Sequence, residues 1–168
     1  RGIIEATSLH IAAAKADFDR ALALAPGNVD VINFYGDFQQ FTGDLRGSEA
    51  MKRKAISLDP LAFIHPINLG QTMVSQGRMA DALQYTQRGA VLGETLGVTS
   101  MWGNVFMMQA RARNPVEAQK IFDSHCAPPL PEEAQRCRVL HVALLGLTGH
   151  AAEAGREIAP LAADVHQG

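Results

Sequence analysis

Apolar and small residues recur along this chain three and four positions apart, and nowhere alternate in the two-residue rhythm of a strand bounded by hairpin turns. Ala50, Met51, Ala55, Ile56 and Leu58 show the pattern, and Asp59-Pro60 ends it, because the residue before proline disfavours the α region. Reading the same signals throughout predicts helices over residues 12–25, 30–41, 46–58, 64–75, 79–92, 98–112 and 116–124. Another opens at Pro131 and reaches about Thr148, and a last one starts near Ala151 and is kinked or ended by Pro160. Residues 2–7 read as the tail of an earlier helix. Corners are marked by Thr42-Gly43-Asp44 and Gln76-Gly77-Arg78, where glycine suits the left-handed backbone that closes a helix. Asn114-Pro115 supplies an N-cap and a first helical residue, and Glu132 and Glu133 sit at the positive end of a helix dipole.

The helices repeat. Ala21-Leu22-Ala23-Leu24-Ala25-Pro26 moved by 34 positions meets Ala55-Ile56-Ser57-Leu58-Asp59-Pro60. The same offset moves Gly36 onto Gly70, Gly43 onto Gly77 and Leu45 onto Met79. It then carries Gly70 to Asn104 and Leu83 to Glu117, so the register persists while its residues change. Gly149-His150-Ala151 resembles the Gly77-Arg78-Met79 corner at a longer offset, and Ala127-Pro128-Pro129-Leu130-Pro131 provides the longer loop. The units fall at about 1–28, 29–62, 63–96, 97–130 and 131–168, expected as one domain within a larger protein.

This pattern resembles the tetratricopeptide repeat. Tyr35-Gly36 and Leu69-Gly70 match its large-then-small pair in the first helix of a unit. Ala14, Phe18, Ala21 and Pro26 match its second-helix set, as do Ala55 and Pro60 in the next unit and Ala82 in the third. Ser48 and Lys52 stand where that set wants a small and an aromatic residue, and Thr86 and Gly89 also depart from it. The resemblance implies an all-α fold: an antiparallel helix-pair solenoid, a right-handed superhelix of about four to five pairs. Leu58-Asp59-Pro60-Leu61, Asn68-Leu69-Gly70 and Gly77-Arg78-Met79-Ala80-Asp81-Ala82-Leu83 also look like repeat regions of bacterial signalling proteins. In those, the repeats follow a winged-helix or a class III nucleotide cyclase domain.

In such solenoids the first helices of successive pairs line a groove. Counting along them nominates Asp30, Asn33, Asp37 and Gln40, then Ile64, Ile67, Gln71 and Val74, then Val98, Met101, Val105 and Met108, and finally Arg136, Val139 and Ala143. Asn33, Asp37, Gln40, Ile67, Gln71, Val74, Met101, Val105 and Met108 are the candidate partner-binding residues. They would grade from acidic and amide-rich to apolar, suiting a peptide with a basic end and an apolar end. No lysine and asparagine set matches the two-carboxylate clamp of chaperone-binding repeats.

Composition narrows the function. A net charge of −2 leaves no basic excess for phosphates, so direct nucleic-acid contact is not expected. No apolar run is long enough to span a bilayer. No Walker or dinucleotide glycine loop and no nucleophile elbow occurs, and Gly89, Gly93 and Gly97 read as a helix end and a loop. His125, Cys126, Cys137 and His141 are the best metal candidates, but Cys126 lacks a CxxC partner; no metal, cofactor or catalytic set is expected. The two cysteines are read as reduced thiols in a cytoplasmic protein, with a local disulfide as the alternative in an oxidising compartment such as the periplasm. The expected function is a protein-interaction module of a bacterial regulatory or assembly protein. The alternatives are a non-catalytic repeat arm of a signalling enzyme or transferase, and a homo-oligomerising scaffold that would bury Met101, Val105 or Met108 in a dimer.

Overall fold

A computed structural model describes residues 10–165, with side chains described for residues 10–158. The described residues are helical, with no strand among them. In chain order the helices are α1 (Ile11–Leu24), α2 (Val29–Phe41), α3 (Leu45–Leu58), α4 (Ile64–Ser75), α5 (Met79–Thr95), α6 (Trp102–Arg111), α7 (Pro115–Cys126), α8 (Ala134–Leu147) and α9 (Ala151–Val165). Single 3₁₀ turns, Thr99–Met101 and Pro131–Glu133, precede α6 and α8. The expected helix tail at residues 2–7 lies outside the described residues.

Local chemistry sets these boundaries. Asn28, Asp44 and Asn114 each cap a helix by accepting a hydrogen bond from the backbone N–H three residues on, at 3.0, 2.9 and 3.3 Å. The corners close by reversed hydrogen bonds: Arg78 N–H donates to the Met73 carbonyl at 2.9 Å, and His150 N–H to the Leu145 carbonyl at 2.8 Å. Gly43, Gly77 and Gly149 take the left-handed backbone there, with φ of 90°, 76° and 88°. Two expectations change. The helix expected from Val98 starts as a 3₁₀ turn and becomes α-helical only at Trp102. Pro160 does not end the last helix, which runs on to Val165.

The chain divides into two compact units, up to Gly93 and from Glu94. In the first, α2 packs on α3 and α3 on α4. One core cluster joins Ala14, Phe18, Tyr35 and Phe38, with Leu22 and Met51 against it. Phe18 stacks on Tyr35 at 5.3 Å and meets Phe38 at 5.4 Å, and each buried aromatic ring contributes roughly 1.5–3 kcal/mol. Glycines of the repeat signature lie where helices touch. A Cβ on Gly70 would sit 2.3 Å from Thr86 Oγ1 and 3.0 Å from the Ala82 carbonyl.

In the second unit, Phe106, Ala118, Cys126, Cys137, Leu140 and Leu144 form the core. Here the expectation of reduced thiols is overturned: Cys126 and Cys137 form a disulfide between the end of α7 and the first turn of α8. The proline loop turns the chain back so that their Cα atoms lie 5.4 Å apart, within bridging range, and both are buried.

Candidate functional site: the α2 and α4 face of the first unit

Among the described residues, the buried polar side chains lie in the first unit, where the repeat signature is broken. Lys52, on α3, occupies the position expected for an aromatic ring and is completely buried. Its ammonium donates to the backbone carbonyl of Asn33 at 3.1 Å, to Asn33 Oδ1 at 3.2 Å and to the carboxylate of Asp37. Burial lowers the pKa of Lys52 from its usual value, while the hydrogen bond and charge of Asp37 act in the opposite direction. The stem of Lys52 runs close against Gly36: a Cβ there would lie 3.1 Å from Lys52 Cε and 3.2 Å from Met51 Cβ, tight enough that a neighbour would have to shift.

The network extends to α4. Asn68 Nδ2 donates to Asn33 Oδ1 at 3.1 Å, and Gln40 Nε2 donates to Ser75 Oγ at 3.1 Å. Thr72 Oγ1 donates to Gln40 Oε1 at 2.9 Å and lies 3.1 Å from Ser48 Oγ. Ser48, the other break in the signature, thus joins the same network. Beside it His65 is buried with its Nδ1 unpartnered. Burial pushes the His65 pKa down; Asp59 and Asp30 oppose this, and Lys52 adds to it.

This geometry redistributes the nominated residues. Asp37 and Gln71 are exposed, and Gln40, Val74 and Met101 are half-buried. Asn33, Ile67, Val105 and Met108 are buried instead of lining a surface, because they face the packed helices of their own units. Asp30 and Asp37 on α2, and Ile64 and Gln71 on α4, belong to the exposed face as counted; the difference falls at the steps between them, where the accessible face continues at i+4 and the count took i+3. On α2 the exposed stripe is Asp30, Phe34, Asp37 and Phe41; on α4 the more accessible stripe is Ile64, Asn68, Gln71 and Ser75. Phe34 and Phe41 are 44% and 65% exposed, and sequence reading missed both. Their spacing with Asp30 and Asp37 (i, i+4, i+7, i+11) was the available signal.

The metal donors considered from the sequence are used elsewhere in the second unit. The two thiols bond to each other, His125 stacks on Trp102 at 4.7 Å, and His141 Nδ1 lies 2.9 Å from Glu157. Among the described residues, no helix is long and apolar enough to cross a membrane.

Solved structures share this arrangement of helix pairs. A tetratricopeptide repeat protein from Parabacteroides merdae superposes with a TM-score of 0.71 at 17% identity, covering 98% of this chain and 64% of that one. The fold is that of the tetratricopeptide repeat. PilF of Pseudomonas aeruginosa is similar with a TM-score of 0.68 at 19% identity, over 93% of this chain and 69% of its own. YrrB, described as a tetratricopeptide repeat protein with an unusual peptide-binding site, gives 0.59 at 16% identity, over 86% of this chain and 72% of its own. Neither a protein-family model nor a curated protein sequence matches the chain. Set against the repeat signature, Lys52 and Ser48 are polar replacements at two interior positions, and the buried network above is their consequence.

Proposed function

We propose that the protein is an interaction module, and that the first unit holds a peptide segment of a partner protein across α2 and α4. The observation that carries this reading is Phe34, an aromatic ring left exposed beside a network of fixed amides. An apolar side chain of the partner would pack on Phe34, while Gln71 pairs with its backbone, offering donor and acceptor together. Asp37 contributes little net charge to this face, because Lys52 already compensates it; Asp30 supplies the remaining negative charge. The peptide-binding description of YrrB, a protein of the same fold, supports the class of ligand.

The module is proposed to serve a bacterial regulatory or assembly protein. The sequence favoured the cytoplasm with the periplasm as the alternative, and we propose the alternative, an oxidising compartment, because the cysteines are paired. Of the residues a dimer would bury, Val105 and Met108 are already in the interior of the second unit, which leaves Met101 as the accessible one.

The test is capture of the partner from the source cell by the immobilised chain, compared with Phe34→Ala and Gln71→Ala. Both side chains are solvent-accessible, so each variant is expected to keep its helical circular-dichroism signal and lose most of the captured protein. Undiminished capture by both variants would refute the site.

A further inference from the structure

We infer that the Cys126–Cys137 bridge is redox-active: a small thiol entering the cleft beside it attacks the Cys126 sulfur and expels Cys137 as the thiolate. This site lies in the second unit and does not rest on the α2 and α4 face.

Access comes from a cleft of about 250 Å³. Both cysteines line it, with Phe122 on α7, Pro129 in the proline loop, and Arg138 and His141 on α8. The two cysteines are otherwise buried, at 4% and 3% exposure, so the cleft is the route to their sulfurs. Its volume falls short of the roughly 300–1,000 Å³ of drug-sized pockets and suits a thiol of a few heavy atoms.

Position makes the two sulfurs unequal. Cys126 is the last residue of α7, at the negative end of that helix dipole. Cys137 lies in the first turn of α8, at the positive end. A thiolate is stabilised at a helix N-terminus and beside cationic side chains. Arg138, the residue after Cys137, lines the same cleft. His125 precedes Cys126, but burial lowers its pKa, so near neutral pH it brings no positive charge to that sulfur. The sulfur with the more stable thiolate is the better leaving group. Attack therefore falls on Cys126.

His141 supplies the proton transfer. It stands one turn after Cys137 on the same face of α8 and lines the cleft. Its Nδ1 is engaged by Glu157 at 2.9 Å, which leaves Nε2 for the cleft. In the first step a thiolate bonds to the Cys126 sulfur, the S–S bond breaks, and its electron pair stays on Cys137. In the second, another thiolate attacks the sulfur of the bound reagent and expels Cys126 as a thiolate. Two thiols are oxidised to one small disulfide, the bridge is reduced, and the two protons released end on Cys137 and Cys126. Both cysteines belong to the core of the unit, so the surrounding thiols set how firmly α7 is tied to α8.

The test treats the oxidised full chain with 2-mercaptoethanol and follows Trp102, which stacks on His125 beside the bridge, by fluorescence. Samples quenched with N-ethylmaleimide are digested and mapped by mass. The expected result is a reduction rate proportional to thiol concentration, with an early mixed disulfide on Cys126 and maleimide on Cys137. Arg138→Gln and His141→Gln are each expected to slow reduction about threefold or more, with the melting temperature of the oxidised form unchanged. A rate independent of thiol concentration, set by unfolding, would overturn the proposal. So would an early mixed disulfide on Cys137, or parent-like rates in both variants.

Discussion

The ammonium of Lys52 is wholly excluded from solvent, yet its anionic partner, Asp37, keeps about half of its side chain exposed, at 49%. The pair is therefore asymmetric: one charge bears most of the desolvation, and the other can reach water. Removing either partner should have opposite consequences. Asp37→Ala strands a buried ammonium and is expected to destabilise the fold by about 3 kcal/mol. Lys52→Met keeps the stem beside Gly36, removes the buried charge and leaves Asp37 solvated. It is expected to be neutral or stabilising, by up to about 4 kcal/mol. Urea unfolding of the two variants checks the contrast; equal losses would show that the ion pair is a net source of stability.

Close helix approach at Gly70 makes a second prediction. Gly70→Ala drives a methyl against Thr86 Oγ1 and the Ala82 carbonyl. A loss of about 1–3 kcal/mol is expected from overpacking. Thr86 Oγ1 is buried without a partner, so Thr86→Ala removes both the clash and an unpaired hydroxyl. The double variant is expected to recover part of the loss in thermal melts. Strict additivity of the two single changes would contradict this coupling.

The disulfide should be measurable through the only tryptophan. Trp102 stacks on His125, next to Cys126, and its Nε1–H donates to Glu94 at 3.1 Å. Reduction is expected to cost about 2–4 kcal/mol and to change Trp102 fluorescence as the end of α7 loosens. A Cys126→Ala/Cys137→Ala variant should melt lower than the parent and no longer respond to reductant. An unreduced sample whose intact mass shows two alkylated thiols would count against the bridge.

Acid should weaken the first unit through His65. Its folded-state pKa is depressed below the ordinary 6.5, chiefly by burial, so the unfolded chain binds the proton more tightly. The stability contributed is present above about pH 6.5 and is lost as pH falls through the depressed value. Melting temperatures are expected to fall between about pH 7 and pH 5, and His65→Phe should flatten that slope. An unchanged slope in the variant would assign the acid sensitivity to other groups.

Much of the fold was legible in the sequence because helix ends are governed by local chemistry. Asn28, Asp44 and Asn114 announce caps, glycines announce corners, and the offset of 34 aligns Gly36 with Gly70. These signals act over three or four residues and survive without knowledge of neighbours. What the sequence left open was rotation about each helix axis. Taking i+3 where the exposed face continues at i+4 sends Asn33 and Ile67 to a surface they do not reach and hides Phe34 and Phe41, and Val105 and Met108 are likewise buried. Only packing fixes that phase, because apolar, amide and small residues occur on both sides of these helices. The same holds for Lys52. The sequence marks it as a break in the repeat signature, but its partners Asn33 and Asp37 lie 19 and 15 positions away on another helix. The disulfide is a further example: spacing allowed it, and the turn of the proline loop brought the two cysteines together. Local propensity determined the helices and their period; the tertiary structure decided which faces are buried, because burial is a property of neighbours that the chain brings together only on folding.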